Sequence, residues 1–313
     1  MKNVSLPNLY PYTQGMDIYE NFINTGLVNV IIPVYSPTLS PSEVVSLNQC
    51  LRILSNYHIT LVTHRELDIS FYQDAFLASK KPFKVAYFES HFFRSVFSYS
   101  QLLLSREFYA CFKEYEYILI YQLDGFVFRD ELSDWCSKGF DYIGSPWFKH
   151  YGFNYDGNEL WKVGNGGVSL RKTAKFLNAF DQPFPCKSSW YFIKSIRKKQ
   201  FMPMLIKTLQ MLLVLTFSRK TVEYILQHYM DERVNEDCFW AEAFQGTSMA
   251  LNIPDVLTGA RFCLEQKPSY VYELIGNQLP FTCHAFERYE YETFWKEIIE
   301  RVHNTTIQQY KNP

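Results

Sequence analysis

Short apolar runs that alternate with longer segments of helical character constrain the fold of this chain more than any other feature of its sequence. The runs are residues 28–35, 59–63, 83–88 and 117–121. The first is rich in β-branched residues without polar alternation, which is typical of a strand buried on both faces. Strands that alternate with helices form βαβ units. The sequence therefore predicts an α/β fold with a mostly parallel sheet flanked by helices.

Helix signals lie between the predicted strands. Residues 40–43 (Ser-Pro-Ser-Glu) combine a capping box with a proline at the first helical position. Apolar residues then follow at helical spacing, namely Val44, Leu47, Leu51 and Leu54. Residues 95–115 contain neither glycine nor proline, so we expect this segment to be mostly helical.

The carboxyl ends of the predicted strands are expected to meet at one rim of the sheet, where ligands of open α/β sheets bind. This rule brings residues 33–36, 64–68 and 122–125 together. Asp124 is the sharpest candidate among them, because its carboxylate directly follows a buried strand and suits a cation or a ribose. The alternative is an aspartate that only caps its own turn.

Charge and cysteine content exclude several classes of protein. The 313 residues carry a formal net charge of -1, too little positive charge for a general nucleic-acid binder. The 7 cysteines include no Cys-x-x-Cys pair, which argues against a disulfide framework and a zinc knuckle. Reduced thiols and the absence of a signal-peptide-like run in residues 1–22 predict a cytoplasmic protein. No apolar stretch is long enough to predict a transmembrane span.

Three further segments carry residues suited to chemistry. Residues 165–167 (Asn-Gly-Gly) let backbone approach a ligand closely, or form an ordinary tight turn. Residues 235–237 (Asn-Glu-Asp) start a helix with two acids in its first turn, one of which is a candidate general base. His284 lies between apolar residues and is either a metal ligand or a structural histidine.

Residues 186–230 differ in character from the rest of the chain, and we expect a helical insertion there. Apolar residues dominate positions 201–217, and lysine and arginine flank them on both sides. The favoured interpretation is a buried or partner-facing helix. The alternative is peripheral contact of residues 194–220 with an anionic membrane surface, which would suit a lipid-linked acceptor.

Several of these segments, taken in order, resemble GT-A glycosyltransferases. Residues 30–35 resemble the opening strand of that fold. The ordered set is similar to a bacterial family catalogued as a domain of unknown function and regarded as GT-A-like. Its motifs are Tyr-Gln-Leu-Asp at 121–124, Tyr-Ile-Gly-Ser-Pro-Trp at 142–147, Gly-Asn-Gly-Gly at 164–167, Asn-Glu-Asp at 235–237 and Cys-His at 283–284.

The resemblance implies a GT-A-like (Rossmann-like) glycosyltransferase domain over residues 1–313. Its donor-binding half would span about 25–130 and its acceptor-side half about 131–300. The implied enzyme is of the hexosyltransferase type and moves a sugar from a nucleotide sugar, with a UDP-sugar expected, to a hydroxyl of a glycan or lipid-linked acceptor. Bacterial surface polysaccharide or glycolipid synthesis, at the inner membrane face, is the implied setting.

The resemblance also implies roles for single residues. Residues 122–124 occupy the place of the Asp-x-Asp motif, so Asp124 and His284 would ligate a divalent cation, Mn²⁺ or Mg²⁺. Gln122 replaces the first acid of that motif and gives a cation no charge. Asp237 or Glu236 would act as the base of an inverting transfer. The implied donor-binding residues are Pro33, Tyr35, His64, Gln122, Asp124, Asn165, Gly166 and Gly167, and those on the acceptor side are Trp147 and Trp240.

Two other functions stay open on the sequence. A non-catalytic module that binds a nucleotide sugar or glycan would keep these motifs, and Gln122 is the feature that favours it. A nucleotidyltransferase also uses an α/β sheet and acidic metal ligands. That class usually carries a Gly- and Lys-rich phosphate loop after the first strand, and residues 36–42 contain neither residue type.

Overall fold

The fold is organised by a sheet of seven strands with helices on both faces. The computed structural model describes residues 9–11, 26–149, 157–185, 205–206, 209–210, 213, 220–229 and 234–311. The strands are β1 (Leu9–Pro11), β2 (Val28–Pro33), β3 (His58–Thr63), β4 (Lys84–Tyr87), β5 (Tyr117–Tyr121), β6 (Phe126–Val127), β7 (Tyr142–Ile143), β8 (Pro146–Phe148), β9 (Leu160–Val163), β10 (Val168–Lys172), β11 (Cys263–Leu264) and β12 (Thr282–Cys283).

The central sheet has the strand order β1-β4-β3-β2-β5-β10-β7. Strands β4, β3, β2 and β5 are parallel to one another, and β1 and β10 are antiparallel to their neighbours. Strand β7 is antiparallel to β10 and so runs in the same direction as β5. The prediction of an α/β fold with a mostly parallel sheet is confirmed, and each predicted strand overlaps an observed one.

Helices cover the sheet between its strands. They are α1 (Pro41–Ile53), α2 (Ser70–Ala78), α3 (Val96–Leu103), α4 (Arg106–Cys111), α5 (Leu132–Ser137), α6 (Thr173–Ala179), α7 (Val222–Tyr229), α8 (Glu236–Glu242), α9 (Val256–Phe262), α10 (Pro268–Leu274) and α11 (Lys296–Lys311), with a 3₁₀ turn at Ser90–Phe93 and a π-helical turn at Tyr291–Trp295. The capping box before α1 is present, because the Ser40 hydroxyl accepts from the Glu43 amide and Glu43 accepts from the Ser40 amide.

The predicted helix at 95–115 is two helices in the structure. Helix α3 ends at Leu103 and α4 begins at Arg106. The Ser105 hydroxyl accepts a hydrogen bond from the Phe108 amide at 3.2 Å, so it caps a new helix instead of continuing the old one. Serine hydroxyls compete with helical backbone bonds in this way, which explains the break without glycine or proline.

Side chains of the central strands divide between two hydrophobic cores, one on each face of the sheet. Ile31, Ile118 and Ile120 point to the core that contains α4, α6 and α8. Val30 and Leu119 point to the opposite core, which α1, α2 and α5 cover. All five side chains are fully buried. Burial on both faces explains why the strand sequences are continuously apolar.

A second, three-stranded sheet brings distant parts of the chain to the rim of the first. Its order is β11-β12-β6, with β11 parallel to β12 and β12 antiparallel to β6. Asp124 and Gly125 directly precede β6, Glu265 directly follows β11, and His284 directly follows β12. The His284 amide donates to the Leu264 carbonyl oxygen at 2.9 Å, which fixes the backbone there.

The predicted insertion at 186–230 lies largely outside the described residues. The described residues of this segment that are helical are those of α7 and, before it, Leu205, Ile206, Leu209, Gln210 and Leu213. The membrane-contact prediction for 194–220 rests mostly on residues outside the described part and stays a prediction. No helix among the described residues combines the length and the apolar character that a membrane crossing requires.

We expect Leu119→Ala to lower the free energy of unfolding by about 2–5 kcal/mol, because it opens a cavity at the centre of the sheet. Leu77→Ala is the matched control, since Leu77 is 68% exposed, and it should change stability by about 0.5 kcal/mol or less. Urea unfolding of both variants measures the difference. Equal stability of the two variants would contradict the central position of β5.

Candidate active site

The order of the parallel strands creates a crevice between β2 and β5. From β2 the chain proceeds outward through β3 to β4 and then returns to β5 on the other side of β2. Connections that leave in opposite directions open a crevice at the carboxyl ends of such a strand pair, where α/β proteins bind ligands. Tyr35 follows β2 and Asp124 follows β5. Desolvation and the charges of Glu43 and Asp124 raise the pKa of Tyr35, which places Tyr35 within electrostatic reach of Asp124.

A cavity of about 440 Å³ lies at this rim. Its lining contains nine of the residues that the sequence singled out: Gln122, Asp124, Trp147, Asn165, Gly166, Gly167, Glu236, Asp237 and His284. These residues come from well-separated stretches of the chain and lie on or beside elements of all three sheets. Tertiary structure therefore brings together most of the candidates that the sequence named separately.

Asp124, His284 and Glu265 form a row of ionisable groups on one side of the cavity. The Asp124 Oδ1 lies 3.3 Å from the His284 Nε2. On the other side of the imidazole, the His284 Nδ1 lies 3.4 Å from the Glu265 Oε1. The His284 side chain is 13% exposed and that of Asp124 is 42% exposed, so the row reaches the cavity through Asp124.

Charge interactions within this row shift the pKa values of Asp124 and His284. Burial lowers the pKa of His284, but the adjacent carboxylates of Asp124 and Glu265 outweigh that effect and raise the pKa to about 10. Burial raises the pKa of Asp124, and the positive charge of His284 more than offsets it, so that the pKa lies below the usual range. With its pKa raised in this way, His284 is protonated at neutral pH, and a metal cation bound at Nε2 would displace that proton.

Gly166 and Gly167, two of the three glycines of the 164–167 motif, pack closely against side chains of the site. A Cβ on Gly167 would lie 2.0 Å from the His284 Nε2. A Cβ on Gly166 would lie 3.0 Å from the Glu236 Oε1 and 3.9 Å from the Asp237 Oδ2. Gly167 thus faces the histidine and Gly166 faces the acid pair. Because these glycines are adjacent in the chain, the two groups of functional side chains lie on neighbouring parts of one cavity.

Glu236 and Asp237 occupy different environments although they are neighbours in sequence. Both Glu236 carboxylate oxygens accept from the Arg171 guanidinium, at 2.9 and 3.1 Å, and both side chains are almost fully buried. Burial lowers the pKa of Arg171, but Glu236 together with the Tyr109 and Tyr142 hydroxyls outweighs that effect and raises the pKa well above its usual range. The Asp237 Oδ1 accepts from the Cys238 amide at 2.7 Å, and burial raises the pKa of Asp237. Glu236 is thus fixed in an ion pair, while Asp237 lines the cavity without an ion-pair partner among the described residues.

The residues also fit a divalent cation. Asp124 Oδ1 and His284 Nε2 face each other at 3.3 Å, and neither buried atom has a hydrogen-bond partner within the described part of the chain. Carboxylate oxygen and imidazole nitrogen are both metal ligands. Among the described residues there is no group of three or more His, Cys, Asp or Glu side chains placed to hold a metal. A cation held by these two atoms would take its other ligands from phosphate and water, as Mg²⁺ commonly does.

Four of the predicted site residues lie outside the cavity lining. Pro33 is buried at the end of β2, and Tyr35 is 59% exposed beside the crevice. His64 follows β3, where its ring lies 5.5 Å from that of Phe93. Trp240 is 1% exposed, and its Nε1 donates to the Leu103 carbonyl oxygen, so its ring belongs to the core. An acceptor-side role for Trp240 therefore requires a correction, because a ring on the inward face of α8 offers no surface to a ligand.

The structure adds lining residues that the sequence did not single out. They are Val96, Tyr99, Ser100, Cys238, Glu265, Ala285, Glu287 and Arg288, while Asn235 of the 235–237 motif also lines the cavity. A signal for Glu265 was available, since an acid directly after the short apolar run 262–264 satisfies the same rim rule that selected Asp124. Tyr99 carries no such signal, because it reaches the cavity from the middle of α3.

We expect Arg171→Met to lower the free energy of unfolding by about 3–5 kcal/mol, because it leaves the Glu236 carboxylate buried without its partner. Lys296→Met is the control, since it removes an exposed i,i+4 pair with Glu292 that contributes little to stability. Chemical denaturation compares the two variants. A small loss for Arg171→Met, similar to the control, would show that the pair is not a structural anchor.

Comparison with known proteins adds a family and a distant structural likeness. Two crystal structures of the glycosyltransferase GlyE of Streptococcus pneumoniae TIGR4 are similar to this chain, with 11% identity and a TM-score of 0.44 in one, and 10% and 0.43 in the apo form. The matches cover 92% and 91% of this chain but 63% of each GlyE chain. No curated protein matches the sequence.

Residues 82–284 match the family described as protein of unknown function DUF5672, and this stretch is more than half of the chain. The matched range includes β5 with Asp124, the 164–167 motif, the acid pair and His284. Of the residues that line the cavity, Ala285, Glu287 and Arg288 lie beyond its end. The chain belongs to the DUF5672 family.

Proposed function

We propose that the protein is a GT-A-type glycosyltransferase that moves a sugar from a nucleotide-sugar donor to an acceptor hydroxyl. One observation carries the proposal. A pair of side chains that fits a cation and a separate carboxylate line the same cavity at the rim of the sheet. The pair is Asp124 with His284, and the separate carboxylate is Asp237. Sugar transfer needs both functions, because charge builds on the leaving phosphate while the acceptor hydroxyl loses a proton.

The donor diphosphate is assigned to the side of the cavity that holds Asp124 and His284. When bound there, Mn²⁺ or Mg²⁺ would supply Lewis-acid stabilisation of the leaving diphosphate. Arg288 lines the same cavity and is exposed, so its guanidinium is available to phosphate oxygens. Gln122 contributes an amide that hydrogen-bonds hydroxyl groups of the ribose or the donor sugar, in place of a second metal-binding acid. Tyr35 offers an exposed ring to the nucleobase at the crevice.

Asp237 is assigned as the general base. It takes the proton of the acceptor hydroxyl as the acceptor oxygen bonds to the sugar C1 and the C1–O bond to the diphosphate breaks. Glu236 is unsuited to that role because its carboxylate oxygens accept from Arg171. Burial of Asp237 raises its pKa, which makes its carboxylate a stronger base than an exposed aspartate. A base opposite the leaving group favours inversion of the anomeric centre.

The setting belongs to the same proposal. A UDP-sugar is the proposed donor, and the proposed acceptor is a glycan or a lipid-linked intermediate of bacterial surface polysaccharide or glycolipid synthesis. A cytoplasmic enzyme with peripheral contact to the inner membrane face through residues 194–220 would reach such an acceptor. The non-catalytic binding module remains the second candidate, because Gln122 lines the cavity where the Asp-x-Asp motif has an acid.

We expect the nucleotide part of the donor to raise the unfolding temperature only when Mn²⁺ is present. At about 100 times its dissociation constant, a ligand adds about 2.7 kcal/mol of stability. Thermal unfolding with UDP, GDP or CMP, each with and without Mn²⁺, identifies the nucleotide. Asp124→Asn should abolish the shift, whereas Asp134→Asn, which alters an exposed acid in α5, should retain it. The absence of any shift for the wild type would contradict a nucleotide-sugar site.

We expect Asp237→Asn to lower kcat by about 10²- to 10⁴-fold while nucleotide binding is retained, because the variant lacks the base but keeps the donor side of the cavity. In the wild type the base must be ionised, so activity should fall as the pH decreases through the raised pKa of Asp237. The acid limb of the kcat profile should therefore lie above about 3.9, the ordinary value for aspartate. Transfer assays over pH measure both effects.

Two outcomes would contradict this assignment of the chemistry. Unchanged transfer in Asp237→Asn would remove Asp237 as the base. Retention of the donor configuration, determined by NMR of the product, would exclude an inverting mechanism. Nucleotide binding without transfer, for any acceptor offered to the wild type, would favour the binding module.

A further inference from the structure

The orientation of the Asn165 side chain is fixed by backbone groups of its own loop. Its Oδ1 accepts from the Gly167 amide at 2.7 Å and from the Val168 amide at 2.8 Å. The amide nitrogen Nδ2 therefore points the other way. It donates to the Glu265 Oε2 and to the Ser145 Oγ, both at 3.0 Å. Both hydrogens of this nitrogen have a partner.

The orientation of the Glu265 carboxylate follows from that of Asn165. Its Oε2 accepts from Asn165 and also from the Ser145 hydroxyl at 3.1 Å. With Oε2 held by two donors, Oε1 is turned toward the His284 imidazole, 3.4 Å from its Nδ1. Ser145 and Asn165 are 0% and 2% exposed, so water does not compete for these bonds.

The hydrogen at His284 Nδ1 is then assigned by its neighbours. Asn165 Nδ2 lies 3.2 Å from this nitrogen, but both Asn165 hydrogens already have closer acceptors. The Glu265 Oε1 is an acceptor only. A hydrogen on Nδ1 therefore faces the Glu265 Oε1 across 3.4 Å, and the opposite nitrogen, Nε2, is directed at Asp124.

We infer that Glu265 is a positioning residue, which holds the His284 ring with Nε2 directed into the cation-binding position beside Asp124. It acts through His284 and does not touch the reacting atoms. Carboxylates that accept from the second nitrogen of a metal-binding histidine have this effect in other sites. The consequence for metal affinity rests on the proposed function, whereas the hydrogen bond itself does not.

The test compares Glu265→Gln with Glu287→Gln. Glu287 lines the same cavity and is exposed, so both variants remove one negative charge from it, but only the first changes the partner of His284. Glu265→Gln replaces one of the two carboxylate oxygens with an NH₂ group. An NH₂ group facing His284 cannot accept from Nδ1, and one facing Asn165 and Ser145 meets two donors.

Two readouts separate positioning from metal binding. The first is the proton NMR signal of the His284 Nδ1–H, assigned by its loss in His284→Gln. We expect a signal protected from solvent exchange in the wild type and in Glu287→Gln, and none in Glu265→Gln. The second is Mn²⁺ affinity by electron paramagnetic resonance, which we expect to fall about 10- to 100-fold in Glu265→Gln and to stay near the wild-type value in Glu287→Gln.

Glu265→Asp provides a second variant should Glu265→Gln fail to fold. It keeps the charge and withdraws the carboxylate by one methylene, so the protected signal should also be lost. The inference is overturned if no protected signal occurs in the wild type, if either Glu265 variant retains it, or if both Glu→Gln variants weaken Mn²⁺ equally. A further outcome separates the two proposals. If the protected signal is present in the wild type and lost in the Glu265 variants, but the wild type binds no Mn²⁺, the positioning role is supported and the metal-assisted function is contradicted.

Discussion

The buried ion pair between Arg171 and Glu236 is the interaction on which the site depends. Arg171 projects from β10 of the central sheet, and Glu236 is the first residue of α8. The same guanidinium donates to the Tyr109 hydroxyl and to the Asn165 carbonyl oxygen. Removing two charges from water costs several kcal/mol per ion, so the pair persists only because its bidentate geometry and additional hydrogen bonds offset that cost. In return, the start of α8, the 164–167 loop and the sheet are held in one arrangement.

This anchor explains why two adjacent acids have different roles. Glu236 forms the ion pair, and Asp237, the next residue on the helix, is thereby held at the cavity wall. A helix rotates its side chains by about 100° per residue, so neighbouring positions cannot share one environment. Glu236 thus anchors the start of α8, and Asp237 beside it has no ion-pair partner among the described residues, as the proposed base role requires.

The second structural device is the small sheet of β11, β12 and β6. It aligns three short segments that are far apart in sequence and delivers Glu265, His284 and Asp124 to the same rim. Glycines make the approach feasible, because a side chain on Gly167 would overlap the His284 ring. The proposed cation ligands Asp124 and His284 and the proposed base Asp237 thus lie on two frameworks, the small sheet and α8, which meet at the 164–167 loop.

The sequence by itself determined the alternation of strands and helices, the rim position of Asp124 and the candidacy of His284 and the acid pair. Those features are local, since they depend on the periodicity of buried residues and on the residue types directly after each strand. Tertiary structure alone decided that Trp240 is a core residue and that Tyr99 lines the cavity. It also separated Glu236 from Asp237, because which of two adjacent acids is paired depends on Arg171, 65 positions away in the chain. Burial and pairing are properties of neighbours in space, and no local pattern specifies them.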